Sequence, residues 1–119
     1  MTIIGIVGKP ANQKESLWTK QKITDDFRKI IVKEGATAIG ILPTNIDYNK
    51  PMTNDETIKF NNLLSICDGF ILQGGLQTGN HEIYVAKYAI ENDIPILGTC
   101  CGLNNMLFSQ GDTVQKEKD

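Results

Sequence analysis

The stretch Pro95-Ile96-Leu97-Gly98-Thr99-Cys100-Cys101-Gly102 holds the residues best placed to do chemistry. A short apolar run leads into Gly-x-Cys-x-Gly, the pattern by which a strand delivers a nucleophile onto a tight strand-to-helix turn. Such a turn crowds its own backbone, so a Cβ at either flanking glycine would collide. The central residue is held in an unfavourable region of φ/ψ with its side chain pointing outward. A thiol at Cys100 is therefore a candidate for covalent catalysis. If a helix starts at Cys101, its N-terminal field lowers the thiol pKa and raises the thiolate fraction.

A covalent acyl mechanism also needs donors for the developing oxyanion. Gly74 and Gly75 end an apolar run and let backbone N–H groups approach a carbonyl oxygen closely, and the N–H of Cys101 supplies a further donor. Other chemistry-bearing residues read differently. Cys67 lies among Leu63, Leu64 and Ile66 and is expected in the core. Cys101 is either a spare thiol or half of a strained vicinal disulfide. His81, the single histidine, is expected as a solvated surface residue in the first turn of a helix. The cysteines and His81 lack zinc-ligand spacing, so no metal is expected. The Gly5–Lys9 segment lacks the spacing of a phosphate loop, the dinucleotide fingerprint is absent too, and no cofactor is expected.

The elements that must position these residues alternate between strand and helix. Ile3–Val7 is a continuous β-branched run, as expected of a strand buried on both faces. Lys20–Glu34 reads as a helix with Ile23, Phe27, Ile30 and Ile31 on one stripe, and Gly35 suits its C′ position. Thr37–Leu42 is a second strand. Thr53-Asn54-Asp55-Glu56 looks like a capping box opening a helix in which Ile58, Leu63, Leu64 and Cys67 face inward. Gly69–Leu72 is a third strand. Asn80 is placed to cap a helix from His81 to Asn92, and Ile94–Leu97 is a fourth strand. A last helix runs from Cys101 to Phe108. The alternation predicts an α/β fold, a three-layer α/β/α, flavodoxin-like parallel sheet, with the glycine-bearing strand ends converging at its carboxyl edge. Residues 1–109 form one domain, and 110–119 a polar, flexible tail.

Composition narrows the partners. The 119 residues carry 12 basic and 14 acidic side chains, a net charge of −2, without a basic patch or aromatic residues interleaved with Lys and Arg. Nucleic-acid binding has no support, and no run reaches membrane-spanning length. Three cysteines, two of them adjacent, do not make a disulfide framework, so a reduced, cytoplasmic setting is expected.

Asp68-Gly69-Phe70-Ile71-Leu72-Gln73-Gly74-Gly75, followed by a helix and then by Ile94–Gly102, resembles the class I glutamine amidotransferases. Within them the chain resembles the peptidase C26 branch, the γ-glutamyl-γ-aminobutyrate hydrolase-like proteins, as do Ile4-Gly5-Ile6 and the Gly35–Pro43 segment. The resemblance implies that Cys100 attacks a γ-glutamyl amide to form a thioester, with oxyanion donors around Gly75 and at Cys101. It also implies a histidine and a glutamate later in the chain. Residues 103–119 contain no histidine, and His81 precedes the nucleophile. The family's Arg after the nucleophile is here Cys101, and its Gln two residues past the next glycine is Asn104. The expectation is thus a truncated γ-glutamyl amide hydrolase, the N-terminal half of such an enzyme, inactive alone. Its substrate would be glutamine or a small γ-glutamyl compound. Two alternatives stay open: a non-catalytic module that pairs with a second copy or a complementing C-terminal chain, and a DJ-1-like reactive-cysteine protein.

Overall fold

The computed structural model describes residues 1–10, 21–44, 50–74 and 79–98. Nine elements follow in chain order: β1 (Ile3–Val7), β2 (Lys9–Pro10), β3 (Gln21–Lys22), α1 (Asp25–Lys33), β4 (Thr37–Ile41), α2 (Asn54–Leu64), β5 (Gly69–Leu72), α3 (Asn80–Glu91) and β6 (Ile96–Gly98). The main sheet has the order β4-β1-β5-β6, and every pairing in it is parallel. β2 and β3 form a small antiparallel pair beside it. The expected parallel α/β architecture is therefore the one observed.

Alternation along the strands sends side chains to two separate cores. Ile6 and Ile71 pack with Ile31 of α1 on one face. Val7, Ile41, Phe70 and Leu72 pack with Phe60 and Leu64 of α2 and with Val85, Ala86 and Ala89 of α3 on the other. Strands covered on both faces need continuous apolar runs, and β5 is buried at every position. Gly5 makes a close approach possible. A Cβ there would sit 2.4 Å from Ile41 Cδ1 and 2.7 Å from Cys67 Sγ. Cys67 is a core residue, as expected. Burial, reinforced by Asp68, pushes its thiol up to about 11.

The helix ends follow local chemistry. The Glu56 N–H donates to Thr53 Oγ1 (3.2 Å) and the Thr53 N–H donates to Glu56 Oε1 (2.8 Å), closing the expected capping box. α1 ends with Gly35 at φ 88°. The Ala36 N–H donates to the Ile31 carbonyl (3.1 Å) and the Gly35 N–H to that of Val32 (3.0 Å), a Schellman arrangement that needs the left-handed residue.

Several boundaries differ from the sequence reading. α1 starts at Asp25 rather than Lys20, because Gln21–Lys22 pairs with Lys9–Pro10 and takes that segment out of the helix. Ile23 therefore leaves the helical stripe. Ile30 is 59 % exposed, since α1 is amphipathic about Ile31 and Phe27 instead. Ile58 is 61 % exposed because Phe60, Leu63 and Leu64 set the inward face of α2. β4 ends at Ile41, leaving Leu42 exposed. Asn80 is the first helical residue of α3, and Gly79 occupies the cap. The fourth long strand is Ile96–Gly98; Ile94 instead closes the end of α3, its N–H donating to the Ala89 carbonyl (2.8 Å). Among the described residues no helix is long and apolar enough to cross a membrane.

Candidate active site

Four strand ends meet at the carboxyl edge of the sheet, and register decides which residues come level there. Leu72 of β5 pairs with Gly98 of β6. Gly74 follows Leu72 by two positions along the chain, and Cys100 follows Gly98 by the same number. Leu72 and Gly98 thus share a rung on neighbouring parallel strands, and adjacent strands lie about 4.8 Å apart. Gly74 itself is half-buried. Cys100, Cys101 and Gly75 lie outside the described residues, as do the expected helix 101–108 and the tail 110–119.

Beside Gly74 the described site is polar, buried and built around the end of β1. Gln73 is buried, and its Nε2 donates to the Val7 carbonyl (2.7 Å) and to that of Lys22 (3.1 Å). Its Oε1 accepts from the Thr24 N–H (2.8 Å). Glu82, in the first turn of α3, is fully buried. Its Oε2 accepts from the Gly79 N–H (2.9 Å), and its Oε1 lies 2.8 Å from Lys9 Nζ. A carboxylate in a helix's first turn is also favoured by the helix dipole. The sequence reading assigns no site role to Lys9, Gln73 or Glu82. The only available signal was their position immediately after a strand or at a helix start.

His81 corrects an expectation. It is 2 % exposed rather than solvated, because its place in the first turn of α3 turns it toward Gly8 and Lys9 at the end of β1. Burial holds the imidazole below its ordinary value. Glu82 and a backbone hydrogen bond with Gly8 pull the other way, and Lys9 lowers it again. The folded protein therefore holds His81 neutral at a pH where the unfolded chain, titrating near 6.5, begins to take up a proton. The stability contributed by His81 is full above about pH 6.5 and is lost as pH falls toward the folded-state pKa. Thermal midpoints measured from pH 8 to pH 5 should fall on the acid side, and His81→Gln should flatten that fall. Identical slopes for the two proteins would remove His81 as the cause.

Among the described residues no three His, Cys, Asp or Glu side chains cluster as metal ligands. A family profile described as glutamine amidotransferase class-I matches residues 21–119. The chain belongs to that family. Within this amidotransferase chain, 106 residues are 28 % identical to the CTP synthase of Chlamydia muridarum, covering 87 % of this chain and 17 % of that protein. CTP synthase 1 of Saccharomyces cerevisiae is 29 % identical over 123 aligned residues, covering 98 % and 20 %. A CTP synthase of Streptococcus pyogenes serotype M18 is 41 % identical over 63 residues, half of this chain and 12 % of the relative. The amidotransferase chain thus spans about a fifth or less of these relatives. Among solved structures, the glutaminase domain of Trypanosoma brucei CTPS with bound acivicin superposes with a TM-score of 0.55 at 18 % identity, over 92 % of this chain and 40 % of that one. That likeness establishes the shared fold. These relatives are CTP synthases rather than members of the peptidase C26 branch, so the family stands and the finer branch does not follow from them.

Proposed function

We propose that this chain carries the nucleophile and oxyanion portion of a site that hydrolyses the side-chain amide of glutamine. The observation that carries the reading is the shared rung of β5 and β6, in a chain that belongs to the glutamine amidotransferases. The thiolate of Cys100 attacks the γ-carbonyl carbon, forming a C–S bond while the carbonyl electron pair moves to oxygen. Backbone N–H groups at Gly74, Gly75 and Cys101 receive that oxyanion. Its collapse breaks the C–N bond, the nitrogen takes a proton and ammonia leaves. Water then cleaves the γ-glutamyl thioester to glutamate and the free thiol.

The proton transfers need a base. His81, the chain's only histidine, is buried against the end of β1 and committed to the backbone there. A histidine and a glutamate from another segment or chain complete the site, and without them turnover is slow. Loss of a triad member leaves a residual acceleration of about 10³–10⁴ over water from the oxyanion hole and binding.

The test is acylation rather than turnover. A chloroketone analogue of L-glutamine should alkylate Cys100 stoichiometrically, with loss of chloride and formation of a C–S bond. Excess L-glutamine should protect the thiol, and Cys100→Ala should abolish the adduct. Labelling spread over Cys67 and Cys101, or insensitive to glutamine, would sink the reading.

A second reading rests on a different observation. An apolar groove of about 370 Å³ runs beside α1, lined by Ile4, Ile30, Ile71 and Leu97 among others. Ile30 and Leu97 are more than half exposed there, which favours self-association through this face. A glutamine-insensitive chain that sediments as a dimer would support that module over the amidase.

A further inference from the structure

The buried stripe of α3 changes character along its length. Val85, Ala86 and Ala89 pack into the core shared with α2. One turn earlier the same stripe continues as His81 and Glu82, which are 2 % and 0 % exposed. Positions 81, 82, 85, 86 and 89 follow the spacing of a single helical face. The body of the helix is thus held by apolar contacts and its first turn by polar ones.

Those polar contacts run to the residues that end β1. Glu82 Oε1 lies 2.8 Å from Lys9 Nζ, and both side chains are buried. Glu82 Oε2 accepts from the Gly79 N–H at 2.9 Å, which closes the cap of the same turn. His81 makes a hydrogen bond with the Gly8 backbone. Gly8 is fixed in turn, its N–H donating to the Ile41 carbonyl at 2.9 Å. The charged groups that act on His81 are Glu82 from its own helix and Lys9 from β2, while Lys22, opposite Lys9 on β3, is exposed.

Charge balance makes this turn sensitive to acid. With the imidazole neutral, the buried cluster holds one cation and one anion. A proton on His81 adds a second cation, which the single carboxylate of Glu82 cannot match, and an unmatched buried charge is costly. Exposing the charge relieves the cost. Only the first turn has to move for that, because Val85, Ala86 and Ala89 keep their own apolar partners. Segments held by few apolar contacts open locally while the rest stays folded.

We propose that His81, Lys9 and Glu82 form an acid-sensitive latch, which holds the first turn of α3 against the end of β1 and releases it when His81 takes up a proton. The latch stands apart from the amidase reading and does not require it. Its direction follows from linkage. Burial weakens the hold of His81 on a proton in the closed turn, and the opened turn returns it to the ordinary value near 6.5. The opened form binds the proton more tightly, so falling pH favours it.

The experiment follows single amides of the full chain by NMR hydrogen exchange at pH 7 and pH 5.5, each rate corrected for the intrinsic chemistry of exchange. The Gly79, Glu82 and Ile83 amides report on the first turn, because their hydrogen bonds close it. Their opening equilibrium should rise on the order of tenfold between the two pH values, while the amides of residues 85–89 and of β1 change little. Since the chain has one histidine, its ring titration is read without overlap, and the midpoint should lie below about 6.5. His81→Gln should abolish the acid response of the first turn. Should that variant fail to fold, the two measurements on the parent chain decide by themselves. A ring midpoint at or above about 6.5, an acid response spread equally over α3 and β1, or a His81→Gln chain that keeps the full response would overturn the latch.

Discussion

In the folded protein at pH 7.5, Cys100 is expected to react with iodoacetamide about a hundredfold faster than Cys67. Three effects set that figure. The Cys67 thiol, pushed up to about 11, is ionised in only about one molecule in several thousand at this pH. An elbow thiol at a helix N-terminus titrates near 7 or below and is mostly thiolate, an advantage of about 10³. The more basic Cys67 thiolate is intrinsically the better nucleophile, which returns about one to two powers of ten. Burial of Cys67, with its Sγ directed to the Leu63 carbonyl at 3.8 Å, restores the difference by requiring an opening motion first. The pH profiles should differ in shape as well. Alkylation of Cys67 should keep rising tenfold per pH unit up to pH 9, whereas that of Cys100 should level off. Peptide mass spectrometry reads both rates in one experiment. Equal rates, or a Cys100 rate still climbing at pH 9, would mean that no activated thiol stands on the strand end.

The second large effect concerns stability. Lys9→Met should lower the free energy of unfolding by about 3–5 kcal/mol, because it leaves the fully buried carboxylate of Glu82 without its countercharge. For a domain near the low end of the usual range of about 5–15 kcal/mol, that is enough to populate unfolded chain at room temperature. Lys9→Met/Glu82→Leu should recover most of the loss, since it removes both desolvated charges. The shortfall should be about 1–3 kcal/mol, from the Gly79 N–H left without its acceptor. Urea unfolding of the single and double variants measures the coupling. A double variant as unstable as the single would show that Glu82 matters through its bond to Gly79 and not through its charge. The exposed pairs Arg28–Asp25 and Lys59–Asp55 offer a contrast. Their shifted pKa values arise from contacts in full solvent, where such pairs contribute little.

Together these two predictions separate the properties of this amidotransferase chain. The first reports on Cys100, the nucleophile proposed from its sequence motif. The second reports on the buried Lys9–Glu82 pair at the start of α3, which the motif does not reveal. A protein that passes the second and fails the first is a folded scaffold. One that passes the first and loses glutamine protection when Gln73 is changed has its chemistry governed by the end of β1.

Much of the frame was legible from the amino-acid order because its causes are local. Ile3–Val7, the Thr37 strand and Gly69–Leu72 read as buried parallel strands because unbroken β-branched and apolar runs suit burial on both faces. The Thr53–Glu56 capping box and Gly35 at the end of α1 were legible because a cap is made by residues within one turn of each other. The resemblance to the class I glutamine amidotransferases was legible in the same way, because it rests on contiguous residues such as Asp68–Gly75, and the family profile bears it out.

Residues whose role depends on a distant partner were read wrongly or not at all. Ile58 and Ile30 were assigned inward by periodicity, yet a helical stripe shows only where apolar residues gather, and the edge of that stripe is settled by what packs against it. The start of α1 moved because Gln21 and Lys22 found Pro10 and Lys9, a pairing no local pattern announces. His81, polar and beside Glu82, has every local mark of a surface residue until β1 is laid under the start of α3. Gln73 meets a carbonyl 66 positions away. The order of residues determined the strands, the caps and the nucleophile motif, because each depends on near neighbours. Only the tertiary structure decided which polar groups are buried and whom they meet, because a buried charge or amide is defined by partners that chain folding alone brings within reach.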